Sequence, residues 1–382
     1  MLVSARPDEY SELVSHVRRI VATTEEVAPG FRLLFVTNLR SDEFTDLGPE
    51  GVLNSAQYYT RAQADAMVRS FQDLGLTVEP LYGEIELIEK LTTEKSSGDE
   101  RPRVVYTTAE GGSGPGRRAL IPALCNLLGL PVLNSGAHAS TLVRHKFHAY
   151  TVLREIGVRV PRTWQFDRGE WKGGLSPSPG VKIIVKPTYE SMGIGVGEDS
   201  VQIVGGDFEP FIAEKNRQFG QAAVVQEFIS GEEVGVPVAR IGRPYALPPV
   251  IQRRANGELF DQSPKTFRDE HLDHDLSYTS FEGPGPQLAA LREAAERTFD
   301  ALDMKGVGRI DFRIDRDGRA WVFDTNGEPP PVAPTCWSEA MERLGFSLRE
   351  MLALWVGICL QDYELAQDST QNESSQQGIR RP

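Results

Sequence analysis

The sequence predicts an α/β protein with more than one domain, and three observations lead to this prediction. The chain has 382 residues, which is more than one small hydrophobic core accommodates. Hydrophobic residues make up 40% and charged residues 25%, an ordinary globular balance. Short apolar runs alternate with stretches of helical periodicity over about the first 140 residues, which favours a parallel sheet there.

The predicted elements follow from periodicity and from helix-ending residues. In chain order they are a helix carrying Leu13, Val17 and Ile20, a strand at 31–36, a helix at 55–74 ended by Gly75, a strand at 104–106, a helix at 146–156, strands at 182–185 and 223–226, a helix at 288–302, a hairpin at 308–326 and a helix at about 344–360. Residues 361–382 are polar with few large apolar groups, so we predict a disordered C-terminal tail.

Charge and composition restrict the partners. The net charge of −13 repels phosphate backbones, so no nucleic acid is expected. No apolar run approaches the roughly 20 residues that span a bilayer, and the first ten residues lack an apolar signal core. Cys125, Cys336 and Cys359 are widely separated and odd in number, which favours a reducing compartment. We therefore expect a soluble cytoplasmic protein without a membrane partner, whose N-terminal helix is a candidate homodimer contact.

The hairpin at 308–326 has two runs of alternating residues. Alternation predicts one face bearing Arg309, Asp311 and Arg313 in the first strand, and one bearing Asp324 and Asn326, opposite Trp321 and Phe323, in the second.

If the connecting loop has an even number of residues, Asp311, Asp324 and Asn326 converge with Arg309 on one surface. Three short oxygen ligands without histidine or thiolate suit a hard cation such as Mg²⁺. A neighbouring arginine would stabilise charge that develops during phosphoryl or acyl transfer. The alternative is a half-exposed hairpin with a solvated charged face, to which alternation alone gives equal weight.

Three further segments carry candidate nucleotide-binding residues. Lys186 ends a strand and precedes a loop with alternating glycines, 193–197, whose backbone could approach phosphates. The segment 224–233 is typical of strand, bend and strand, and its bend could read an adenine edge. Lys265 lies in a long polar loop. Viewed singly, each is better explained as a tight turn, a connecting turn and a solvated lysine.

Taken in order, these motifs resemble the ATP-grasp superfamily, and within it the D-alanine–D-alanine ligase group, over roughly residues 31–360. The resemblance includes a lysine eleven residues before Gly157, a Val-Lys-Pro element with a flap, and a Gly-Arg-Ile-Asp hairpin. The matching positions are Lys146; Lys186 with Glu190, Ser191 and Gly193; Gln226, Glu227, Phe228 and Ile229 with Glu233; Lys265; and Arg309, Asp311, Asp324 and Asn326.

The resemblance implies an ATP-grasp fold of three subdomains. These are an N-terminal parallel α/β domain at 1–140, a central α+β flap subdomain at 141–232 and a C-terminal α+β subdomain at 233–360, followed by the tail at 361–382. It also implies an ATP-dependent ligase that joins a small-molecule carboxylate to an amine through an acyl-phosphate, releasing ADP and phosphate.

The resemblance assigns roles to the matching residues. Lys146 and Lys186 would hold the α- and β-phosphates, and Lys265 would reach the γ-phosphate when its loop closes. Two Mg²⁺ ions, with Mn²⁺ as an alternative, would be bound by Asp311, Asp324 and Asn326, with Asp324 bridging. Residues 226–229 would bind adenine and Glu233 the ribose. Arg309 would stabilise the anionic transition states, which makes Arg309 and Lys265 the expected catalytic residues.

The sequence departs from the family pattern around the amino-acid pocket. The bridging position is Asp324 rather than glutamate, and the family's Asn-x-x-Pro-Gly-Met-Thr is replaced by residues 326–331, which include Glu328 and three prolines. Thr266 stands where the family has tyrosine, and residues 108–114 replace the family's glycine-rich signature. These departures favour a specialised amino-acid or natural-product substrate, such as a mycosporine-like one. The alternatives are a genuine D-alanine–D-alanine ligase, a small-molecule kinase and a non-catalytic ATP-binding module.

Overall fold

A computed structural model describes residues 9–40, 58–93, 101–112, 114–191, 193–206, 208–254 and 276–377, with side chains in the last helix through Tyr363. Within these ranges the strands form three sheets. One is parallel and two are antiparallel, and helices pack on each of them. The mixed α/β class predicted from the sequence is confirmed.

The N-terminal unit is a parallel sheet with helices on both faces. Its elements are α1 (Ser11–Val27), β1 (Arg32–Thr37), α2 (Arg61–Gln72), β2 (Thr77–Tyr82), α3 (Glu84–Thr93), β3 (Arg103–Thr107), α4 (Leu120–Leu128) and α5 (Ala137–Arg144). The strand order is β2-β1-β3, and every residue of β1 is buried. The parallel sheet expected up to about residue 140 is therefore present.

The helix predicted at 55–74 begins later than expected. It starts at Arg61, because the Thr60 side chain accepts the Gln63 N–H while the Gln63 side chain accepts the Thr60 N–H. This reciprocal capping box satisfies two of the unpaired N–H groups of the first turn. Residues 55–57 lie outside the described ranges.

The central unit is a five-stranded antiparallel sheet. Its elements are α6 (Lys146–Glu155), β4 (Thr163–Asp167), β5 (Glu170–Trp171), β6 (Lys182–Pro187), β7 (Val201–Ile203), α7 (Phe208–Phe219) and β8 (Ala223–Glu227), with strand order β5-β4-β8-β6-β7. One face packs on α7 through Phe208, Ile212 and Phe219. The opposite face of β6 and β8 carries Lys186 and Gln226 beside the apolar Ile184 and Val224.

The C-terminal unit is a larger antiparallel sheet. Its elements are β9 (Glu232–Ile241), β10 (Arg243–Ala246), β11 (Val250–Arg254), β12 (Leu276–Ser280), α8 (Gly285–Ala301), β13 (Val307–Ile314), β14 (Ala320–Asn326), α9 (Cys336–Arg343) and α10 (Leu348–Gln377). The strand order is β12-β11-β9-β13-β14, with β10 paired to β9. Alternation along β13 buries Ile310, Phe312 and Ile314 against α8, so the odd-numbered residues face the other way.

Helix α1 packs against α10, so the two ends of the chain share one core. Gly357 allows the close approach: a Cβ there would lie 2.2 Å from Thr24 Oγ1 and 2.4 Å from Ile20 Cγ2. The apolar face of α1, including Leu13, Val17 and Ile20, is buried within the same chain. A homodimer contact through this helix stays a prediction.

Helix α10 continues to Gln377, past residue 360 where the sequence predicts its end. Among its side chains that the structure describes, which end at Tyr363, the last buried one is Leu360. The domain boundaries given above remain predictions. Cys125, Cys336 and Cys359 are free and buried. In the described part of the chain, no single helix is long and apolar enough to cross a membrane. The helices Cys336–Arg343 and Leu348–Tyr363 meet that test only as a pair, bent by 103° at their break.

Candidate functional site

A cavity of about 480 Å³ lies between the central and C-terminal sheets, with loops of the N-terminal unit along its edge. It brings together residues from all three units. The predicted site residues in its wall are Lys146, Lys186, Glu190, Ser191, Gly193, Gln226, Glu227, Phe228, Ile229, Glu233, Arg309, Asp311, Asp324 and Asn326. Lys265 lies outside the described residues. The individual roles of these residues remain predictions.

The pairing register of the hairpin β13–β14 differs from the one that an even-numbered loop would give. Its loop, 315–319, has five residues, so next to the turn Arg313 pairs with Trp321 rather than with an even-numbered residue. A β-bulge then adds Phe323 to the second strand, and the pairing shifts by one. Beyond the bulge Asp311 faces Asp324, and the pairing of Arg309 with Asn326 follows. The expected convergence therefore arises from an odd loop plus a bulge.

The bulge also corrects the predicted faces of the second strand. Val322 packs in the core beside Phe312, whereas Phe323 lines the cavity. The Phe323 ring lies 5.6 Å from the Lys186 ammonium and 5.5 Å from the Arg313 guanidinium. Strict alternation wrongly placed Phe323 opposite Asp324. Phe323 is consequently a site residue that the sequence did not indicate.

The acidic end of the cavity is set by the facing carboxylates. Asp311 is buried and accepts two hydrogen bonds from Arg309, at 2.7 Å and 2.8 Å. Burial raises the pKa of Asp311, Arg309 opposes this rise, and the facing Asp324 adds to it. The buried Asp311 carboxylate, the half-buried Asp324 carboxylate and the Asn326 amide are oxygen donors suited to a hard divalent cation, so the residues fit Mg²⁺.

The Asn326 amide contributes to this donor set in a constrained way. Its Oδ1 accepts the Glu328 N–H at 2.8 Å, which fixes the side chain at the start of the following loop. Within the described residues there is no cluster of three His, Cys, Asp or Glu side chains that could hold a metal. The candidate cation site therefore depends on the amide as well as on the two aspartates.

The basic part of the cavity is formed by two buried lysines from different elements. Lys146 opens α6, and its ammonium donates to the Glu190 carbonyl. Lys186 is the last residue but one of β6 and donates to Gln226 Oε1 at 3.0 Å. Burial lowers the pKa of both lysines, to about 8 for Lys186. The negative charge of Asp324 opposes this lowering in each case. Buried ammonium groups held mainly by neutral oxygens suit an anionic ligand such as a phosphate chain.

Some backbone groups of the predicted adenine segment are already hydrogen-bonded to other parts of the protein. The N–H groups of Glu227 and Phe228 donate to the carbonyls of Arg162 and Lys182, at 2.8 Å and 2.9 Å. An adenine edge would be read by the remaining backbone groups of this segment. The Lys182 ammonium lies 4.5 Å from the centre of the Phe228 ring.

The acidic side chains near the adenine segment are paired with arginines. Glu233 is buried against Arg313, which also donates to the Gly231 carbonyl at 2.9 Å. The Glu227 carboxylate lies 2.9 Å from Arg162 Nε near the surface. A ribose bound at Glu233 would therefore share that carboxylate with Arg313.

Glu190, predicted to bind the cofactor, has its carboxylate enclosed by protein groups. Arg117 Nη2 donates to Glu190 Oε2 at 2.9 Å, and Gln221 Nε2 donates to Oε1 at 2.7 Å. The side chains of Glu190 and Arg117 are at most 1% exposed. Since its carbonyl also accepts from Lys146, the structure makes Glu190 a support for that lysine.

Arg117 also pairs with Glu110 at 3.5 Å, so the same buried ion-pair network continues along the cavity. Arg118 donates to both Glu110 oxygens, at 3.1 Å and 2.7 Å, and its third nitrogen pairs with Glu328. Arg144 donates to Glu110 and to Ser191 Oγ, each at 2.5 Å. Although burial raises the pKa of Glu110, the surrounding guanidinium groups hold it below its usual range. The sequence flagged Glu110 and Glu328 only as departures from a family pattern, and no local signal pointed to Arg118 or Arg144.

Comparison with known proteins agrees with this architecture. The family model described as the D-ala D-ala ligase C-terminus matches residues 153–356, more than half of the chain. A D-alanine–D-alanine ligase of Bordetella petrii is 28% identical over 237 residues, covering 62% of this chain and 70% of the relative. One of Synechococcus sp. is 23% identical over 304 residues, covering 78% and 88%.

Solved structures share the fold. The D-alanine–D-alanine ligase of Bacillus anthracis complexed with ATP superposes with a TM-score of 0.64 at 17% identity, covering 88% of this chain and 99% of that one. The VanG D-Ala:D-Ser ligase of Enterococcus faecalis superposes with a TM-score of 0.59 at 18% identity, covering 86% and 99%.

Proposed function

Because the chain belongs to the D-alanine–D-alanine ligase family of ATP-grasp enzymes, which form C–N bonds, we propose that it condenses two D-alanine molecules in an ATP-dependent reaction. The relatives above support D-alanine better than the specialised, mycosporine-like substrate expected from the altered pocket positions. The observation that carries the proposal is a single cavity in which Lys146 and Lys186 lie with the Asp311–Asp324 pair.

The basic and the acidic residues of the cavity bind different parts of Mg-ATP. Lys146 and Lys186 neutralise the nucleotide phosphates, while Asp311, Asp324 and Asn326 hold the divalent cation that accompanies them. Mg-ATP supplies the γ-phosphoryl group that activates the substrate carboxylate. Arg309, held by Asp311, faces the same cavity and stabilises negative charge on the transferring group.

The second step needs orientation rather than a covalent enzyme nucleophile. The neutral amine attacks the carbonyl carbon of the acyl-phosphate, the C–N bond forms, phosphate leaves with the C–O bond electrons, and the nitrogen gives up one proton to the departing phosphate. Enclosing both substrates in one cavity converts this into an effectively unimolecular step and excludes water, which would otherwise hydrolyse the intermediate.

The test measures ADP release and dipeptide formation with Mg-ATP and D-alanine. N-acetyl-D-alanine offers a carboxylate with a blocked amine, and D-alanine methyl ester offers an amine with a blocked carboxylate. We expect ADP, phosphate and D-alanyl-D-alanine with D-alanine, and no dipeptide with either blocked compound alone. ADP release with a stable phosphorylated product instead would support the kinase alternative. Turnover only with other carboxylate–amine pairs would support the alternative of a specialised substrate.

A further inference from the structure

The loop that follows the candidate cation site offers hydrogen-bond acceptors and almost no donors. Pro329, Pro330 and Pro331 have no backbone N–H, and the Glu328 N–H is already bound to Asn326 Oδ1. The Pro329 carbonyl accepts the Tyr106 hydroxyl at 3.2 Å. Four consecutive residues therefore leave no free backbone N–H for an anionic group, and the loop favours a ligand that donates.

Glu328 is the charged group of this loop and lines the cavity. Its Oε2 is held by Arg118, which Glu110 fixes through two hydrogen bonds. Its Oε1 is contacted by the Ser140 hydroxyl at 3.4 Å, but that hydroxyl lies closer, at 3.2 Å, to the Ser135 carbonyl. Since a hydroxyl has one proton to donate, Oε1 keeps acceptor capacity toward the cavity while Oε2 anchors the side chain.

We propose that Glu328 is a specificity-determining residue that binds the ammonium group of the amino-acid substrate. This inference rests on the proposed function and extends it to the recognition of the amine. A carboxylate with one anchored oxygen and one available oxygen is complementary to an ammonium group, which has three donors and no acceptor. In the same wall, Arg118 contacts Glu328 and Arg144 contacts Ser191. Because these positive charges attract the carboxylate of an amino acid, the site favours a zwitterion over a simple amine.

The position of Glu328 also suits the reaction. It stands two residues beyond Asn326, so the ammonium would lie beside the end of the hairpin that carries the candidate cation ligands. The amine must approach the activated carboxylate there for the C–N bond to form. Glu328 holds the ammonium through a hydrogen bond and forms no covalent bond to either substrate. Its carboxylate is also the group placed to accept the proton that the nitrogen must lose before it attacks.

The experiment is a binding measurement that needs no turnover. D-alanine and D-lactate, and L-alanine and L-lactate, are titrated calorimetrically into the protein with Mg²⁺ and a non-hydrolysable ATP analogue. Within each pair the ligands differ only in carrying an ammonium or a hydroxyl group. We expect the wild type to prefer one alanine over its lactate by about 10-fold or more, since a hydrogen bond between charged groups contributes on that order.

Glu328→Gln keeps the size of the side chain and removes its charge, and we expect it to reduce this preference to about 2-fold or less. Glu79→Gln is the matched control: it also removes a carboxylate partner of a buried arginine, Arg32, but outside the cavity wall. We expect Glu79→Gln to keep the preference. Thermal melting of both variants checks that they fold.

Three results would overturn the inference: a wild type that binds neither alanine, a preference that survives in Glu328→Gln, or a preference lost equally in both variants. The last result would mean that the preference follows the overall negative charge of the protein and not Glu328 itself. Dipeptide formation is scored separately. An ammonium preference that depends on Glu328 without dipeptide formation would reject the proposed function alone, whereas dipeptide formation with an unchanged preference would reject this inference alone.

Discussion

Asp311 and Asp324 face each other across β13 and β14 immediately beside the bulge at Phe323. Two acidic groups in direct cross-strand register repel each other unless a cation lies nearby. Arg309 meets part of this requirement through its two hydrogen bonds to Asp311. The arrangement is the basis for the first prediction.

Asp324→Asn should reduce ADP formation by about 100-fold or more, because it removes one of two charged ligands of the proposed cation site. Initial rates measured over a Mg²⁺ titration check this, and we expect a higher Mg²⁺ requirement in the variant. Asp317→Asn, in the exposed turn of the same hairpin, is the control and should behave like the wild type. Equal rates in Asp324→Asn and wild type would reject the cation assignment.

Nucleotide affinity should fall as the pH rises through about 8. Burial lowers the pKa of Lys186 to about 8, with Lys146 and Arg313 lowering it and Asp324 and Glu233 raising it. Above that pH the free protein loses the positive charge that would hold a phosphate. Bound phosphate should restore the proton, so binding of Mg-ATP analogue near pH 8 should take up protons.

Calorimetry in two buffers of different ionisation enthalpy measures that uptake. The effect of Lys186 on folding stability has the opposite sign to its effect on nucleotide binding. Because the unfolded chain keeps the Lys186 proton up to the ordinary pKa of 10.5, this group makes the fold more stable as the pH rises from about 8 toward 10.5. Lys186→Met should abolish the pH dependence of binding in this range. Proton uptake that persists in Lys186→Met would assign it to another group.

Arg117→Ala should lower the free energy of unfolding by about 3–5 kcal/mol, because it leaves Glu190 and Glu110 as buried carboxylates with a partner removed. Urea denaturation measures the change. Arg162→Ala, which breaks the more exposed pair with Glu227, should cost no more than about 1 kcal/mol. Similar losses in the two variants would contradict the buried character of the Arg117 pair.

Gly357→Ala should destabilise the protein by about 1–3 kcal/mol despite the higher helix propensity of alanine, since the new methyl group overlaps Thr24 and Ile20. Gly30→Ala is the control, because a Cβ there meets nothing within 4 Å. Thermal melting of both variants is the measurement. An unchanged melting temperature for Gly357→Ala would mean that α1 and α10 can separate without loss.

Particular residues show how much of the structure could be predicted from the sequence. Alternation along β13 correctly placed Ile310 and Phe312 in the core, and the order of motifs led to the family that the comparisons establish. The same alternation failed at Phe323, because a bulge changes which face each later residue occupies. Glu190 lines the cavity with its carboxylate enclosed by Arg117 and Gln221, and its contact with the cofactor stays a prediction.

The sequence by itself determined the α/β class, the family and the chemical types gathered at the site, because these depend on local periodicity and on motifs within short segments. Only the tertiary structure decided the register of the hairpin and the contact of Arg118 with Glu328, which are 210 positions apart in the chain. Such pairings depend on loop length, on the bulge and on how three separate units pack. No local pattern of residues encodes those relationships.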